Sequence, residues 1–192
     1  MSATAMDNVR SATPGQVRRS PSVPAHWPIR RHVAAAETTP AGPLHSVEVT
    51  VPAKTNRTLH VGPAHEEWGG RHALDTIYCA IGVNDVVTAT AKTPGSGFSL
   101  ELSGEHLGDL ASSGSDMRRN HAVLALFAIA RAAGREPDVA LHVDKHIPVG
   151  AGLGGGSADA AATLLAVNTL WGLHWPIERL RDIAATLGAD MP

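Results

Sequence analysis

An α+β fold is the class that the sequence predicts. Three observations point to it. Apolar residues alternate with polar ones around Val47, Leu100 and Val139, the period of half-buried strands. Apolar residues three and four apart mark helices near 120–133 and 157–171. The order along the chain is strands, helix, strand, glycine-rich loop, helix, helix, with no internal repeat. Composition agrees with a packed domain: of 192 residues, 43% are apolar and 18% charged, which excludes wholesale disorder. A formal net charge of −2 argues against a general nucleic-acid binder, which needs a basic surface. Cys79 is the single cysteine, so no internal disulfide can form and a reducing, cytoplasmic setting is expected. The longest apolar run, Ala122 to Ala130, is nine residues, too short to span a bilayer.

Residues 1–45 stand apart. They hold six of the 13 prolines and five arginines against Asp7 and Glu37, with no hydrophobic period. They read as a disordered extension, with a weak resemblance to an organelle transit peptide. Residues 46–192 read as one domain. Val47, Val49 and Val51 open the first strand. A second β-rich region runs from about Leu74 to Ala91, with a turn expected at Gly82-Val83-Asn84-Asp85. Thr93 to Gly97 is expected to make a hairpin into a strand with Phe98, Leu100 and Leu102. After a polar loop at 112–116, a helix from about Asn120 to Ala133 would bury Val123, Leu126, Phe127 and Ala130, and Gly134 suits its C-terminal cap. Val139, Leu141 and Val143 form a further strand. A helix from Ser157 to about Trp171 would turn Ala161, Leu164, Leu165 and Val167 inward. A last helix, Ile177 to Leu187, follows Pro176, placed as a first-turn proline.

The densest chemical signal lies between the last strand and the long helix: Pro148-Val149-Gly150-Ala151-Gly152-Leu153-Gly154-Gly155-Gly156-Ser157. Five glycines in seven residues let a backbone come close to a ligand. The free amides and positive dipole end of the following helix make an anion site there, with Ser157 able to cap the helix or touch a phosphate. No lysine follows the glycines as in G-x-x-x-x-G-K-[ST], and no G-x-G-x-x-G dinucleotide unit is present. His142 and His146 are four apart without an evident third ligand, so no metal site is expected from them.

Pro148 to Ala161 resembles the phosphate-binding motif of the GHMP kinase superfamily. Pro52-Ala53-Lys54-Thr55-Asn56 and Leu187-Gly188-Ala189-Asp190-Met191-Pro192 resemble the P-A-K-x-N and L-G-A-D-V-P segments of its 4-diphosphocytidyl-2-C-methyl-D-erythritol kinase family. Asp144 to Pro148 and Asn168 to Trp171 also match that family, so the likeness covers about Val47 to Pro192. The resemblance implies an N-terminal domain like domain 2 of ribosomal protein S5, with a left-handed β-α-β connection. It implies phosphoryl transfer from ATP, with Mg²⁺, to the 2-hydroxyl of a cytidine diphosphate-linked methylerythritol, a step toward isoprenoid precursors by the non-mevalonate route. Lys54 and Asp190 match the catalytic pair: the aspartate takes or orients the acceptor proton, and the lysine keeps it ionised and offsets developing charge. Lys145, Pro148, Gly150, Gly152, Leu153, Gly154, Gly155, Gly156 and Ser157 match nucleotide-binding positions. Asn56, Arg71 and His72 match substrate-binding positions.

The chain departs from the family at three points. Arg71 stands where the family has an aromatic stacked on cytosine, and a guanidinium is not an equivalent stacker. Arg57 puts a charge on a strand expected to enter the core. The C-terminal domain of the family is missing, leaving Asp190 two residues from the end. Two alternatives therefore stand beside the kinase reading: an inactive truncated fragment that keeps the nucleotide-binding fold, and a GHMP kinase with another small acceptor. A domain shaped to meet a second one is also expected to expose apolar surface.

Overall fold

The computed structural model describes residues 44–105, 107 and 119–188. Almost all of the N-terminal extension, the polar loop at 112–116 and Asp190 lie outside the described residues. The described residues form four strands and three α-helices: β1 Ser46–His65, β2 Arg71–Ala91, β3 Ser99–Gly104, α1 His121–Ala133, β4 Val139–Lys145, α2 Gly155–Leu170 and α3 Ile177–Ala185. The sheet order is β1-β2-β4-β3, with β1, β2 and β4 antiparallel in sequence and β3 parallel to β4.

The alternation read from the sequence orients the sheet. Val49 and Val51 on β1, Val87 and Ala89 on β2, and Val139, Leu141 and Val143 on β4 are buried against Leu126 and Ile129 of α1 and Leu164 and Val167 of α2. Their strand neighbours Thr88, Thr90, His142 and Asp144 stay partly exposed on the other face. α3 adds Leu180 and Ala184 to the same core. Burying a Leu or Val side chain removes about 1.5–3 kcal/mol of unfavourable hydration, so this row drives the fold.

Several expectations need correction. Gly82–Asp85 is not a turn. β2 runs straight through it, and the register jumps from Pro52↔Asn84 to Ala53↔Ile81, leaving Gly82 and Val83 as a bulge. Thr93–Gly97 is not a hairpin connection, because β4 lies between β2 and β3. Asp138, just before β4, holds that loop by accepting from the amides of Gly95 (2.8 Å) and Gly97 (2.7 Å). Phe127 faces outward at 42% exposure and meets Phe98 edge to face, 5.2 Å between ring centroids. On α2, Ala161 and Leu165 are only partly buried, and Asp159, Ala160 and Thr163 take inward places. Pro176 is the N-cap of α3 rather than its first helical residue. Arg57 falls between the pairs Asn56↔Tyr78 and Thr58↔Ile77, so a bulge turns it to solvent and its charge never enters the core. Cys79 is free and half-buried.

β1 and β2 outrun the sheet. β4 pairs only with Val86 to Ala91 of β2, so beyond about Ala53 the two long strands continue as a two-stranded ribbon. A 3-10 turn at Glu66–Trp68 closes its far end. Leu59, Val61, Leu74, Ile77 and Tyr78 on the ribbon are each about half exposed.

Candidate functional site

The glycine loop leaves the end of β4 and enters α2. Its apex is tied to β1, where the Lys54 amide donates to the Leu153 carbonyl at 2.9 Å. α2 begins at Gly155, two residues before the expected start, with Gly154 as N-cap at φ +75°. That left-handed conformation, and the Lys54 Cγ only 2.9 Å from where a Cβ on Gly154 would sit, explain why glycine is needed there. No side chain caps the helix, and Ser157 lies inside the first turn rather than at the cap. The first intrahelical bond is the Ala158 amide to the Gly154 carbonyl. The amides of Gly155, Gly156 and Ser157 therefore precede the helical ladder, with the positive end of the macrodipole behind them.

A cleft of about 280 Å³ opens over this loop. Pro148, Gly150, Gly152, Leu153, Gly154, Gly155 and Gly156 line it, as the sequence motif requires, and Arg119, Asn120 and His121 close the side next to α1. These last three were not anticipated. Asn120 is the N-cap of α1, its Oδ1 accepting from the Ala122 amide at 2.9 Å. Two helix N-termini thus border one cleft. The amides, the glycines and Arg119 suit a polyphosphate, while Asp159 is a carboxyl that lines the same cleft. Among the described residues no group of three or more His, Cys, Asp or Glu side chains is arranged for a metal. His142 and His146 instead belong to an edge network: Ser103 Oγ lies 2.9 Å from both His142 Nε2 and Asp144 Oδ1, and His146 Nε2 lies 3.1 Å from Asp144 Oδ2. These bonds from Ser103 and His146 hold the Asp144 carboxyl below its usual range.

Lys54 stands beside the loop. Its ammonium donates to Asn56 Oδ1 at 2.9 Å, and the Asn56 amide nitrogen donates to Thr76 Oγ1 at 2.7 Å. The Tyr78 ring lies 5.5 Å from the same ammonium. Lys54, Asn56 and the glycine loop are thus brought together. Arg71 and His72 are not: they pair with His65 and Ala64 at the far end of the ribbon, both exposed, with His72 Nδ1 2.8 Å from the Gly62 carbonyl. Lys54 pairs with Ala80, so at ~3.3 Å per residue His72 lies roughly 25 Å away along β2.

Lys145 occupies the cleft floor in an unforeseen role. Its ammonium is buried and ion-paired with both Asp85 and Asp159, the latter at 2.7 Å. Asp85 Oδ1 also accepts from the amides of His146 (2.6 Å) and Ile147 (2.8 Å), fixing the turn out of β4. Asp159 Oδ1 is buried with no hydrogen-bond partner among the described residues. Burial pushes the Asp159 carboxyl up to about 7, with Lys145 opposing the rise and Asp85 adding to it.

Comparison with known proteins places this geometry. Residues 120–192 match the family described as GHMP kinases N terminal domain. A 4-diphosphocytidyl-2-C-methyl-D-erythritol kinase of Bifidobacterium longum subsp. infantis is 80% identical over 147 residues, covering 77% of this chain and 46% of the relative. One of Mycobacterium tuberculosis is 44% identical over 150 residues, covering 78% and 44%. A crystal structure of 4-(cytidine 5'-diphospho)-2C-methyl-D-erythritol kinase superposes with a TM-score of 0.57 at 34% identity, over 76% of this chain and 47% of that one. Homoserine kinase from Cytophaga hutchinsonii shares the fold alone, at 18% identity and a TM-score of 0.56. The chain spans about half the length of the curated relatives it matches. With a mixed sheet, two covering helices and a glycine loop at the start of α2, the chain has the GHMP kinase N-terminal fold, and over that part of their length its sequence is similar to the 4-diphosphocytidyl-2-C-methyl-D-erythritol kinases.

Proposed function

We propose that this chain supplies the nucleotide-binding domain of a cytoplasmic, ATP-dependent kinase. Its acceptor is the 2-hydroxyl of 4-diphosphocytidyl-2-C-methyl-D-erythritol. The observation that carries the reading is the loop Gly150–Gly156, opening α2 beneath the cleft and fastened to Lys54 at its apex. The glycine-loop amides and Arg119 would hold the nucleotide, which would bring the phosphoryl group, and Mg²⁺ accompanying it would supply charge neutralisation.

The residues divide the remaining work. Backbone amides at Gly155, Gly156 and Ser157 grip phosphate oxygens with donors fixed by the fold, so little reorganisation is needed when charge develops. Arg119 screens the phosphates from the α1 side. Lys54, oriented by Asn56 and by packing against Gly154, offsets charge on the transferred group. Asp190 is the base of the reading. It follows α3 in sequence and lies outside the described residues. Arg71 and His72 would meet the cytosine, and register shifts at Asn56/Thr58 and Val61/Ala64 interrupt the ribbon between them and Lys54.

Titration calorimetry with magnesium-ADP tests the nucleotide site. Binding is expected for the native chain, and Gly154→Val should weaken it at least about tenfold by forcing the N-cap out of its left-handed conformation against Lys54. No binding by folded native chain would overturn the nucleotide reading. An ADP-release assay offering the cytidyl acceptor, homoserine and mevalonate in turn tests the acceptor, and turnover of either of the last two in place of the first would overturn it.

A further inference from the structure

We propose that Asp159 is a proton-linked positioning residue beneath the phosphate site, taking up a proton when an anion binds the glycine loop. The proposal rests on the phosphate-site reading above. It starts from a charge imbalance: Asp85, Lys145 and Asp159 place two carboxyls and one ammonium in a region where their side chains are 0%, 3% and 6% exposed. With all three ionised the cluster carries one net negative charge out of water, a costly state unless something neutralises it.

The hydrogen bonds decide which carboxyl gives way. Both Asp85 oxygens are satisfied, one by Lys145 and the other by two backbone amides, so its charge is held in place. Asp159 has one oxygen on Lys145 and the other on nothing among the described residues. It is the group with least to lose on protonation.

Its position couples that proton to the loop. Asp159 is the fifth residue of α2, and it lines the same cleft as the loop glycines. A Cβ on Gly155 would lie 3.2 Å from the Lys145 ammonium, so the loop backbone rests directly on the cluster. A phosphate held by the first-turn amides would therefore share its cleft with the Asp159 carboxyl. Like charges so placed repel, and protonating Asp159 removes the repulsion. By linkage, the anion raises proton affinity at Asp159 as much as the proton raises anion affinity.

Other charged groups border the cluster. Lys54 comes from β1, Arg119 from the residues before α1, and His121 from α1 itself, its ring against Gly156. Of these, His121 is the one whose residue type changes charge near neutral pH, and a cationic ring there would also favour an anion. It is therefore the group to separate from Asp159.

The experiment is calorimetric binding of magnesium-ADP from pH 6 to 8.5, in paired buffers of different ionisation enthalpy, for native chain, Asp159→Asn and His121→Gln. The native chain is expected to take up protons on binding and to lose affinity as pH rises, approaching tenfold per pH unit at most. Asp159→Asn mimics the neutral form, so it should keep the low-pH affinity and lose most of the proton uptake. His121→Gln should keep the uptake. Equal proton uptake in native chain and Asp159→Asn would overturn the proposal while leaving the nucleotide site standing, and failure of native chain to bind at any pH would overturn both. Should Asp159→Asn not fold, the carboxyl ¹³C signal of Asp159 in native chain decides. A titration point moved upward by magnesium-ADP supports the coupling, and an unmoved one overturns it.

Discussion

At the scale of single residues, the phase of a side chain says more than its type. Asp85 lies in step with Val87 and Ala89, and Lys145 in step with Val139, Leu141 and Val143, so the strand period turns both toward the core at one end of the sheet. Asp159 lies four residues before Thr163 on the buried side of α2. A charged residue in apolar phase on three elements was thus a legible signal of a buried cluster. The turn-like composition of Gly82–Asp85 masks it, because a turn there would break the phase of Asp85. The cluster also gives stability a pH dependence. The Asp159 carboxyl titrates near 7 when folded and near 4 when unfolded, so the folded chain holds an extra proton between those values. That stability is fully present below about pH 4 and is lost as pH rises through about 7. Asp159→Asn removes the titration. Its urea midpoint, compared with native chain, should therefore shift upward between pH 5 and pH 8, and a constant difference would refute the assignment.

At the scale of elements, local signals located most strands and helices, while pairing was decided elsewhere. Asn120 and Gly134 bracket α1 in both readings, because a side-chain cap and a left-handed exit are local events. The partner of β3 could not be read locally. Thr93–Gly97 has hairpin composition, yet Asp138 holds it beside the start of β4, and β4 fills the place next to β2. Phe127 fits the helical period of α1, but β3 brings Phe98 to its outer side, so an aromatic pair forms there instead of a core contact. The β3–β4 pairing has its own test. Gly104 has φ +110°, and a Cβ there would collide with the Lys145 backbone. Gly104→Ala should cost more than about 1 kcal/mol in chemical denaturation, and a change below ~0.5 kcal/mol would mean that the two strands part easily.

At the scale of the whole molecule, the glycine loop joins the two long strands to the helical layer. Lys54 meets its apex, Asp85 its base and Asp159 its helical exit. A ligand held by the loop thus bears on three elements at once. Magnesium-ADP at one hundred times its dissociation constant should add about 2.7 kcal/mol to stability and raise the melting temperature by about 5–10 °C, as read by calorimetry. The ribbon presents Leu59, Val61, Leu74, Ile77 and Tyr78 half exposed, apolar surface of the kind expected for a face meant to be covered. By itself the sequence determined the fold class, most strands and helices and the place of the glycine loop, because periodicity, capping and glycine spacing act over a few neighbouring residues. Only the tertiary structure decided the strand order, the distance of Arg71 and His72 from Lys54, and the use of Lys145 as a buried counter-ion. Each of those depends on which distant segments exclude water from one another, and no local pattern carries that.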